Sequence, residues 1–553
     1  MRARKLEANR RGGWEHAAAR SAALLLVGLT ALTELTGASG CGTPASSPDA
    51  GRTTDARGDA TAADLARGDA VGSSLCPGPG ASECAGEATR RCERDGRGVL
   101  RWSAPVPCKP GEYCVAGACA APTAKQQRWA SELEAFATAL RQTSGWVDDV
   151  PVDVAALAAA AKSILFHGAE EDGVMFRAAR RVLVGFPIGH AGLDAGLRCG
   201  KPDAPMSELS TLGVCAHPYQ DHFVVTHAEA TNPLKLAPGD RVTAVDGLRG
   251  KALVEELYLR TICAGSTATE GAKHAQVAAS LFGALAPGVT LTVVSPSGAT
   301  RTVKLEKPGT GGLWCRYRGA PAAPPVIAAT LRPDGVGVIR LTGFTPAGGF
   351  KGKTMPELLA EIEAFKKELA VEFAKVKQAK GLIWDVRGNT GGATPVGLAI
   401  VGGFPGVRTT KIAHCDSRIP YSEPPAFYGG ESAFDYVVAP DPLFAFTGKV
   451  AVLVDGLAVS AADYFLRAVA EATNVPRVGA APAGGFGGGV VTIEVSRDPA
   501  LYAASDTARC VDADGKALEG RAVVPTHPLE YRPADLAAGV DTLLEAAAAL
   551  VKP

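Results

Sequence analysis

The chain carries no surplus charge: 57 Lys and Arg balance 57 Asp and Glu over 553 residues. It therefore offers no basic field to hold a phosphate backbone, and nucleic acid is set aside as a partner. Aromatic residues are sparse, at 6%. The glycine-rich turn at Gly388–Gly392 carries no Gly-Lys-Ser/Thr, which disfavours a nucleotide phosphate loop there. The apolar stretch near the start, residues 22–32, is too short for a confident membrane span. What is abundant is Gly and Pro, 65 and 38 residues, so loops are many. The length suggests three or four domains.

Arg2, Arg4, Lys5, Arg10, Arg11 and Arg20 precede that apolar stretch, the layout of a secretory signal. It ends in Ala38-Ser39-Gly40-Cys41, which resembles a bacterial lipobox, with Ala38 where leucine is usual and Glu34 interrupting the apolar run. The resemblance implies an exported cell-envelope lipoprotein, in the periplasm or on the outer membrane, lipidated at Cys41. The membrane is then met through the lipid anchor only. Plain secretion and an uncleaved anchor are the rival readings. Residues 1–41 form this signal segment. Residues 42–74 are rich in Ala, Gly, Asp, Ser and Thr and read as a flexible linker.

Thirteen cysteines fit an oxidising compartment. With Cys41 set aside, six crowd into a module at 75–120: Cys76, Cys84, Cys92, Cys108, Cys114 and Cys119. This segment is poor in apolar residues and needs staples, so three disulfides are expected, their connectivity unreadable. A zinc site is the rival, but the module has no CxxC pair and no histidine. Cys199, Cys215, Cys263, Cys315, Cys415 and Cys510 are scattered and suggest three further bridges. Cys199 with Cys215 is the easiest pairing, across a short loop.

Residues 121–200 read as helical, with Trp129, Leu133, Phe136 and Leu140 at helical spacing, then runs at 152–165 and 176–183. Residues 205–308 read as strands, with one long helical stretch from Leu253 to about Leu285 and a hairpin around Pro296-Ser-Gly298. Residues 325–553 alternate strands and helices, an α/β pattern with parallel strands whose sites lie at strand C-termini. Two such ends carry unusual loops, Arg387-Gly388-Asn389-Thr390-Gly391-Gly392 and Asp455-Gly456-Leu457-Ala458-Val459-Ser460.

Ser460 follows the strand 450–454 and opens a helical pattern with Ala462, Phe465, Leu466 and Val469 on one face. Ser460-Ala-Ala-Asp463 is a capping box. It is also a setting for a nucleophile, whose alkoxide the helix dipole would stabilise. Gly391-Gly392 reads as a tight turn or as an oxyanion hole. Ser460 lies in Ala-Val-Ser-Ala-Ala rather than Gly-x-Ser-x-Gly, which argues against an esterase or lipase.

Asp385-Val-Arg387-Gly388-Asn389-Thr-Gly391-Gly392, Ser460-Ala-Ala-Asp463, Arg477-Val478-Gly479 and Glu519-Gly520-Arg-Ala-Val-Val-Pro525-Thr526 occur in this order. Together they resemble the C-terminal-processing, or tail-specific, serine peptidases over roughly residues 125–550. Upstream, Pro238-Gly239-Asp240-Arg241-Val242 and Val245-Asp246-Gly247 resemble a PDZ domain. The resemblance implies an α/β peptidase core, parallel-strand-rich and ClpP/crotonase-like, over 325–553. It adds a PDZ-like β-rich domain at 205–308, an N-terminal helical segment and the small disulfide-rich module. Ser460 is then the nucleophile. The oxyanion hole is drawn from Gly391, Gly392 and Ala461, with Asn389 and Asp463 in support.

One branch of the family uses a lysine base, but Gly485 stands at that position here, and only Lys516 and Lys552 follow Ser460. The tricorn-like branch uses a histidine upstream of the PDZ-like region with a C-terminal glutamate, and His190 and Glu519 stand at the matching places. Imidazole titrates near neutrality and suits the task. The chain departs from that branch at Gly189, where a serine is usual, at Thr526 and at Asp463. His414 and His527 are the competing bases. The PDZ-like turn at Leu212-Gly213-Val214 would hold peptide carboxylates. No metal or other cofactor is required. The expected activity is endopeptidase cleavage of peptides or unfolded protein tails. The alternative is a catalytically inactive peptide-binding or scaffold protein of the same fold.

Overall fold

The computed structural model describes residues 76–552, apart from 77, 147, 151, 194–210, 261–264, 286, 307–314, 318, 320–323 and 429–432. The signal segment, Cys41, the linker, Cys199 and Cys263 lie outside the described residues.

The cysteine-rich module is built from short strands: β1 (Ser82–Ala85), β2 (Ala88–Arg94), β3 (Leu100–Trp102), β4 (Val106–Pro107), β5 (Tyr113–Val115) and β6 (Ala118–Ala120). Three disulfides staple it, Cys76–Cys92, Cys84–Cys114 and Cys108–Cys119. Few of its side chains are buried, so crosslinks stand in for a core.

Three helices follow, α1 (Ala124–Thr143), α2 (Val154–Phe166) and α3 (Asp172–Val184). Trp129, Leu133, Phe136 and Leu140 are all buried, as their spacing predicts. They share one apolar cluster with Ile339, Trp384 and Phe465 of the later α/β block. The helical segment is thus packed into the core rather than beside it. Chain turning back from α3 forms β7 (Gly192–Leu193), with His190 just ahead of it.

A five-stranded antiparallel sheet comes next. Its order is β12-β11-β10-β9-β8, with β8 (Val214–Tyr219), β9 (His222–Ala228), β10 (Arg241–Val245), β11 (Thr290–Val294) and β12 (Thr300–Lys304). The long helix expected over 253–285 is two helices, α4 (Gly250–Arg260) and α5 (Glu270–Ser280). Thr269 accepts from Ala272 N–H (3.2 Å) and caps the second, so a new helix start interrupts the apolar periodicity. The guessed Cys199–Cys215 bridge is also corrected: Cys215 on β8 pairs with Cys315. Sequence nearness misled, because a sheet edge brings residue 315 alongside β8.

The last block holds a six-stranded sheet in the order β13-β14-β15-β18-β19-β23. These are β13 (Ile327–Leu331), β14 (Val336–Leu341), β15 (Gly381–Asp385), β18 (Lys449–Val454), β19 (Arg477–Gly479) and β23 (His527–Pro528). All pairs except β13–β14 are parallel. α6 (Met355–Ala374), α7 (Thr394–Gly402), α8 (Ala461–Ala472) and α9 (Thr542–Val551) cover it. β15 is buried at every residue, as parallel strands with both faces covered must be. α8 is buried nearly all round rather than on one face, which fits a helix enclosed by the sheet and its neighbours. Further antiparallel strands flank this block: β16 (Thr410–Ser417) with β17 (Phe434–Val438) and β22 (Ala508–Val511), and β20 (Val490–Arg497) with β21 (Ala500–Asp506) and β7. Cys415 on β16 and Cys510 on β22 are bridged.

Candidate active site

The C-termini of the neighbouring strands β15 and β18 bring their two loops together, so residues 386–392 face residues 455–460. The first loop is anchored by a buried salt bridge. Arg387 donates from Nε to Asp385 Oδ1 (2.8 Å) and from Nη2 to Asp385 Oδ2 (2.6 Å), and also reaches Tyr531 and Asp541. That guanidinium holds the Asp385 carboxyl below its usual range against the burial that would raise it. Removing one partner of such a pair costs about 3–5 kcal/mol. Asp455 ties the two loops, accepting from Gly388 N–H (2.9 Å) and Leu457 N–H (3.0 Å) on one oxygen. Arg316 spans them from outside, donating to Gly388 O (2.9 Å) and Leu457 O (2.6 Å). Its neighbour Cys315 is the residue bridged to β8.

Ser460 sits at φ 67° and ψ −123°, buried at the N-terminus of α8. A non-glycine residue there stores about 1–3 kcal/mol of strain, a kind of conformer that clusters at functional sites. The backbone is held in place by Asp463, which accepts from Ser460 N–H (3.0 Å), Gly485 N–H (3.1 Å) and Gly484 N–H (2.9 Å). Burial outweighs these three donors and pushes the Asp463 carboxyl up to about 8. Half of the expected capping box is therefore present in this carboxylate, which also binds the glycine-rich loop 484–489 to the helix start.

Gly391 (φ 86°) packs directly behind the serine. Its N–H donates to Asn389 Oδ1 (2.8 Å), while Asn389 Nδ2 donates to Leu341 O (2.9 Å) and its carbonyl accepts from Val459 N–H (3.1 Å). The Gly391 N–H is thus committed within the loop. Among the three donors read from the sequence, Gly392 and Ala461 remain. Ala461 opens α8, and the first N–H groups of a helix have no intrahelical acceptor.

His190 enters from far upstream, on chain that packs against the glycine-rich loop, and that loop is itself bonded to the backbone of Ser460. Gly485 O accepts from Ser460 N–H (3.1 Å). On its other side a Cβ on Gly189 would stand 2.6 Å from Gly485 Cα, so the chain passes there only as glycine against glycine. Burial lowers the His190 pKa, and the nearby Asp506 carboxylate opposes this, with Nδ1 4.0 Å from Asp506 Oδ2. Neither ring nitrogen has a hydrogen-bond partner among the described residues.

Glu519 is also brought here, but it meets backbone rather than the ring. Gly189 N–H donates to Oε1 (2.5 Å) and Phe486 N–H to Oε2 (2.6 Å). Burial and the neighbouring Asp506 lift its carboxyl well above the ordinary range. Asp506, absent from the residues singled out in the sequence, is the carboxylate that faces the imidazole. Nothing local marks it, since it ends an ordinary strand, β21.

The other candidates are placed elsewhere. His414 bonds Asp435 (2.7 Å) on β17, and His527 lies beside Thr526 on β23. Leu212 is buried, Val214 N–H donates to Thr211 O (2.9 Å), and Gly213 O accepts from Glu229 N–H (2.7 Å). That turn leads into β8, an edge strand of the five-stranded sheet. Among the described residues no cluster of His, Cys, Asp and Glu could hold a metal, and no helix is long and apolar enough to cross a membrane.

Residues 335–529 match the family described as Peptidase family S41. The matched span contains Ser460, Gly391, Asp506 and Glu519 but not His190. The structure of mature CPAF complexed with lactacystin aligns with 78% of this chain and 98% of that one, at 15% identity and a TM-score of 0.54. Mature CPAF alone aligns with 75% and 95%, at 16% identity and 0.52. A putative peptidase from Parabacteroides merdae aligns with 78% and 97%, at 14% identity and 0.42. The two likenesses to CPAF establish a shared fold. No curated protein sequence matches the chain.

Proposed function

We propose that this chain, a serine-type peptidase with an S41 peptidase core, is an exported endopeptidase whose nucleophile is Ser460 and whose general base is His190. The carrying observation is the backbone of Ser460. It stands at a strained φ of 67° at a helix N-terminus, against Gly391 and beside the loop that packs on Gly189. In the reaction Ser460 Oγ attacks the peptide carbonyl carbon while His190 Nε2 takes the hydroxyl proton. The developing oxyanion is received by Gly392 and Ala461 N–H, donors whose value rises in a water-poor site. The imidazolium then protonates the leaving amine, and water repeats the sequence to release the acyl group. Lowering of the His190 pKa by burial favours the neutral imidazole that a base must be.

The substrate reading is peptides or protein tails. The antiparallel sheet of 214–304 supports a PDZ-like module, with β8 as the edge strand and α5 beside it, and the 325–553 block supports a parallel-strand-rich, ClpP/crotonase-like core. Export through the 1–41 segment and lipidation at Cys41 are supported by the disulfides, which need an oxidising compartment.

The test is labelling with a fluorophosphonate probe and hydrolysis of an unstructured peptide. Wild type is expected to react on both counts. Ser460→Ala abolishes labelling, and His190→Ala slows it by about 10³-fold or more. A folded wild type that neither labels nor cleaves would overturn the reading in favour of a peptide-binding protein.

A further inference from the structure

We propose that Asp506, not Glu519, is the residue that positions and charge-stabilises His190, an inference that rests on reading Ser460 and His190 as nucleophile and base. The two oxygens of Asp506 have different work. Oδ1 accepts from Ala508 N–H (2.9 Å), Gly488 N–H (3.3 Å) and Gly489 N–H (3.4 Å), which fixes the carboxylate on its strand end. Oδ2 is left for Trp146 Nε1 (3.2 Å) and for His190 Nδ1 at 4.0 Å. Register is fixed as well: Ala503 and Ala504 of β21 pair with Leu193 and Gly192 of β7. The strand that ends in Asp506 is therefore zipped to chain only two residues beyond His190.

Glu519 cannot do the same work from where it stands. Both of its oxygens are taken by backbone N–H groups, those of Gly189 and Phe486, so it straps the segment before His190 to the glycine-rich loop. Asp463, Asp506 and Glu519 form a buried acidic group, and among the described residues no Lys or Arg forms an ion pair with any of them. Carboxylates so crowded do not all ionise. Burial raises both carboxyls, and the charge of Asp506 adds to the rise at Glu519, whereas the facing imidazole opposes the rise at Asp506. Of the two, Asp506 alone has the imidazole beside it to favour its charged form, so the negative charge is assigned to Asp506 and the proton to Glu519. Closing 4.0 Å to a charge-assisted hydrogen bond of about 2.8 Å needs about 1 Å of side-chain motion. Such tightening in the substrate complex is ordinary for catalytic pairs.

In the acylation step the proton leaves Ser460 Oγ for His190 Nε2 as the Oγ–C bond forms. Nδ1–H then points at Asp506 Oδ2, and the Nε2 proton passes to the amine as the C–N bond breaks. Asp506 stays ionised throughout.

The experiment uses the mature chain with 15N-labelled histidine, following the His190 tautomer and titration by NMR alongside the pH profile of peptide hydrolysis. Asp506 is the charged group that faces His190, and Glu519 and Tyr464 interact in turn with Asp506 and with Asp463, so Glu519→Gln is run beside Asp506→Asn. Neutral His190 is expected to carry its proton on Nδ1. Asp506→Asn should move that proton to Nε2 and cut kcat by about 10³–10⁴-fold with little change in KM. Glu519→Gln should leave the tautomer and the pH profile in place and cost about tenfold or less in kcat. Should Asp506→Asn fail to fold, the wild-type tautomer decides alone, since a neutral His190 protonated on Nε2 overturns the proposal. So does a Glu519→Gln variant that shifts the tautomer while Asp506→Asn does not. If wild type shows no activity, the peptidase reading falls separately, because the tautomer measurement does not depend on turnover.

Discussion

Gly391 lies so close to Ser460 that a Cβ built on it would stand 2.6 Å from the serine Cβ and 2.8 Å from Val459 O. The glycine also sits at φ 86°, where a side chain is strained whatever the space. Gly391→Ala must therefore push the serine loop outward or distort its own. It is expected to lower stability by about 2 kcal/mol or more and to slow fluorophosphonate labelling at least tenfold. Thermal unfolding and labelling rate, read together, check this. A variant with normal labelling would show that the close approach is incidental.

The strain at Ser460 predicts a trade between stability and activity. Glycine accepts φ 67° without penalty, so Ser460→Gly is expected to abolish labelling yet unfold at a higher urea concentration, by about 1 kcal/mol. Ser460→Ala keeps the strain and serves as the reference. If Gly is no more stable than Ala, the positive φ is not a cost imposed by the nucleophile position.

Asp463 predicts a pH dependence. Its folded pKa is raised to about 8, so the native state holds a proton that the unfolded chain releases. That contribution is full below the unfolded value of about 4 and is lost as pH climbs through about 8. Asp463→Asn mimics the neutral form without titrating. Its amide cannot accept on both terminal atoms, so it leaves at least one of the three N–H groups without an acceptor and is less stable at low pH, by about 1–3 kcal/mol. The stability gap between wild type and variant should be widest at about pH 4 and below and shrink steadily as pH climbs to about 8. A gap that does not change with pH would mean that the buried carboxyl is ionised throughout.

Cys215–Cys315 closes a span of 100 residues and delivers Arg316 to both site loops. Replacing both cysteines with serine is expected to cost about 2–5 kcal/mol of stability. Arg316→Ala, with the disulfide intact, isolates the second effect. It removes the donors to Gly388 O and Leu457 O and should lower the labelling rate about tenfold with a smaller loss of stability. If the disulfide variant loses stability but labels at the wild-type rate, Arg316 holds its place without the bridge.

What could be read from the sequence was local. Ser460, Gly391 and Asp463 fall within short segments at strand ends, and adjacent parallel strands bring such ends together as a rule. The buried face of α1 followed from periodicity alone. Relationships set by a partner strand were not legible. Cys215 found Cys315 because β8 is a sheet edge, and Asp506 met His190 because β21 pairs with β7. No spacing in the chain encodes either. The commitment of the Gly391 N–H to Asn389 was hidden for a similar reason, since the motif names both residues but not which donor is spent inside the loop. The split of the 253–285 helix was present in the sequence as Gly265-Ser-Thr-Ala-Thr269, a capping segment overridden by the apolar spacing around it.

The glycine-rich loop supplies the sharpest contrast, between two adjacent residues. A Cβ on Gly487 would fall 1.5 Å from Asp506 Oδ2 and 2.8 Å from His190 Nδ1, inside the gap that separates the two side chains. A Cβ on Gly488 would meet nothing within 4 Å, and its backbone is not at positive φ. Alanine at either position costs the same in unfolded-chain entropy, so propensity does not distinguish them. Gly487→Ala must drive Asp506 and His190 apart, and is expected to reduce kcat for peptide hydrolysis by about 10²-fold or more with little change in KM. Gly488→Ala should retain wild-type kinetics and unfold at the same temperature or slightly higher. Equal kinetics in the two variants would mean that the gap between His190 and Asp506 plays no part in turnover.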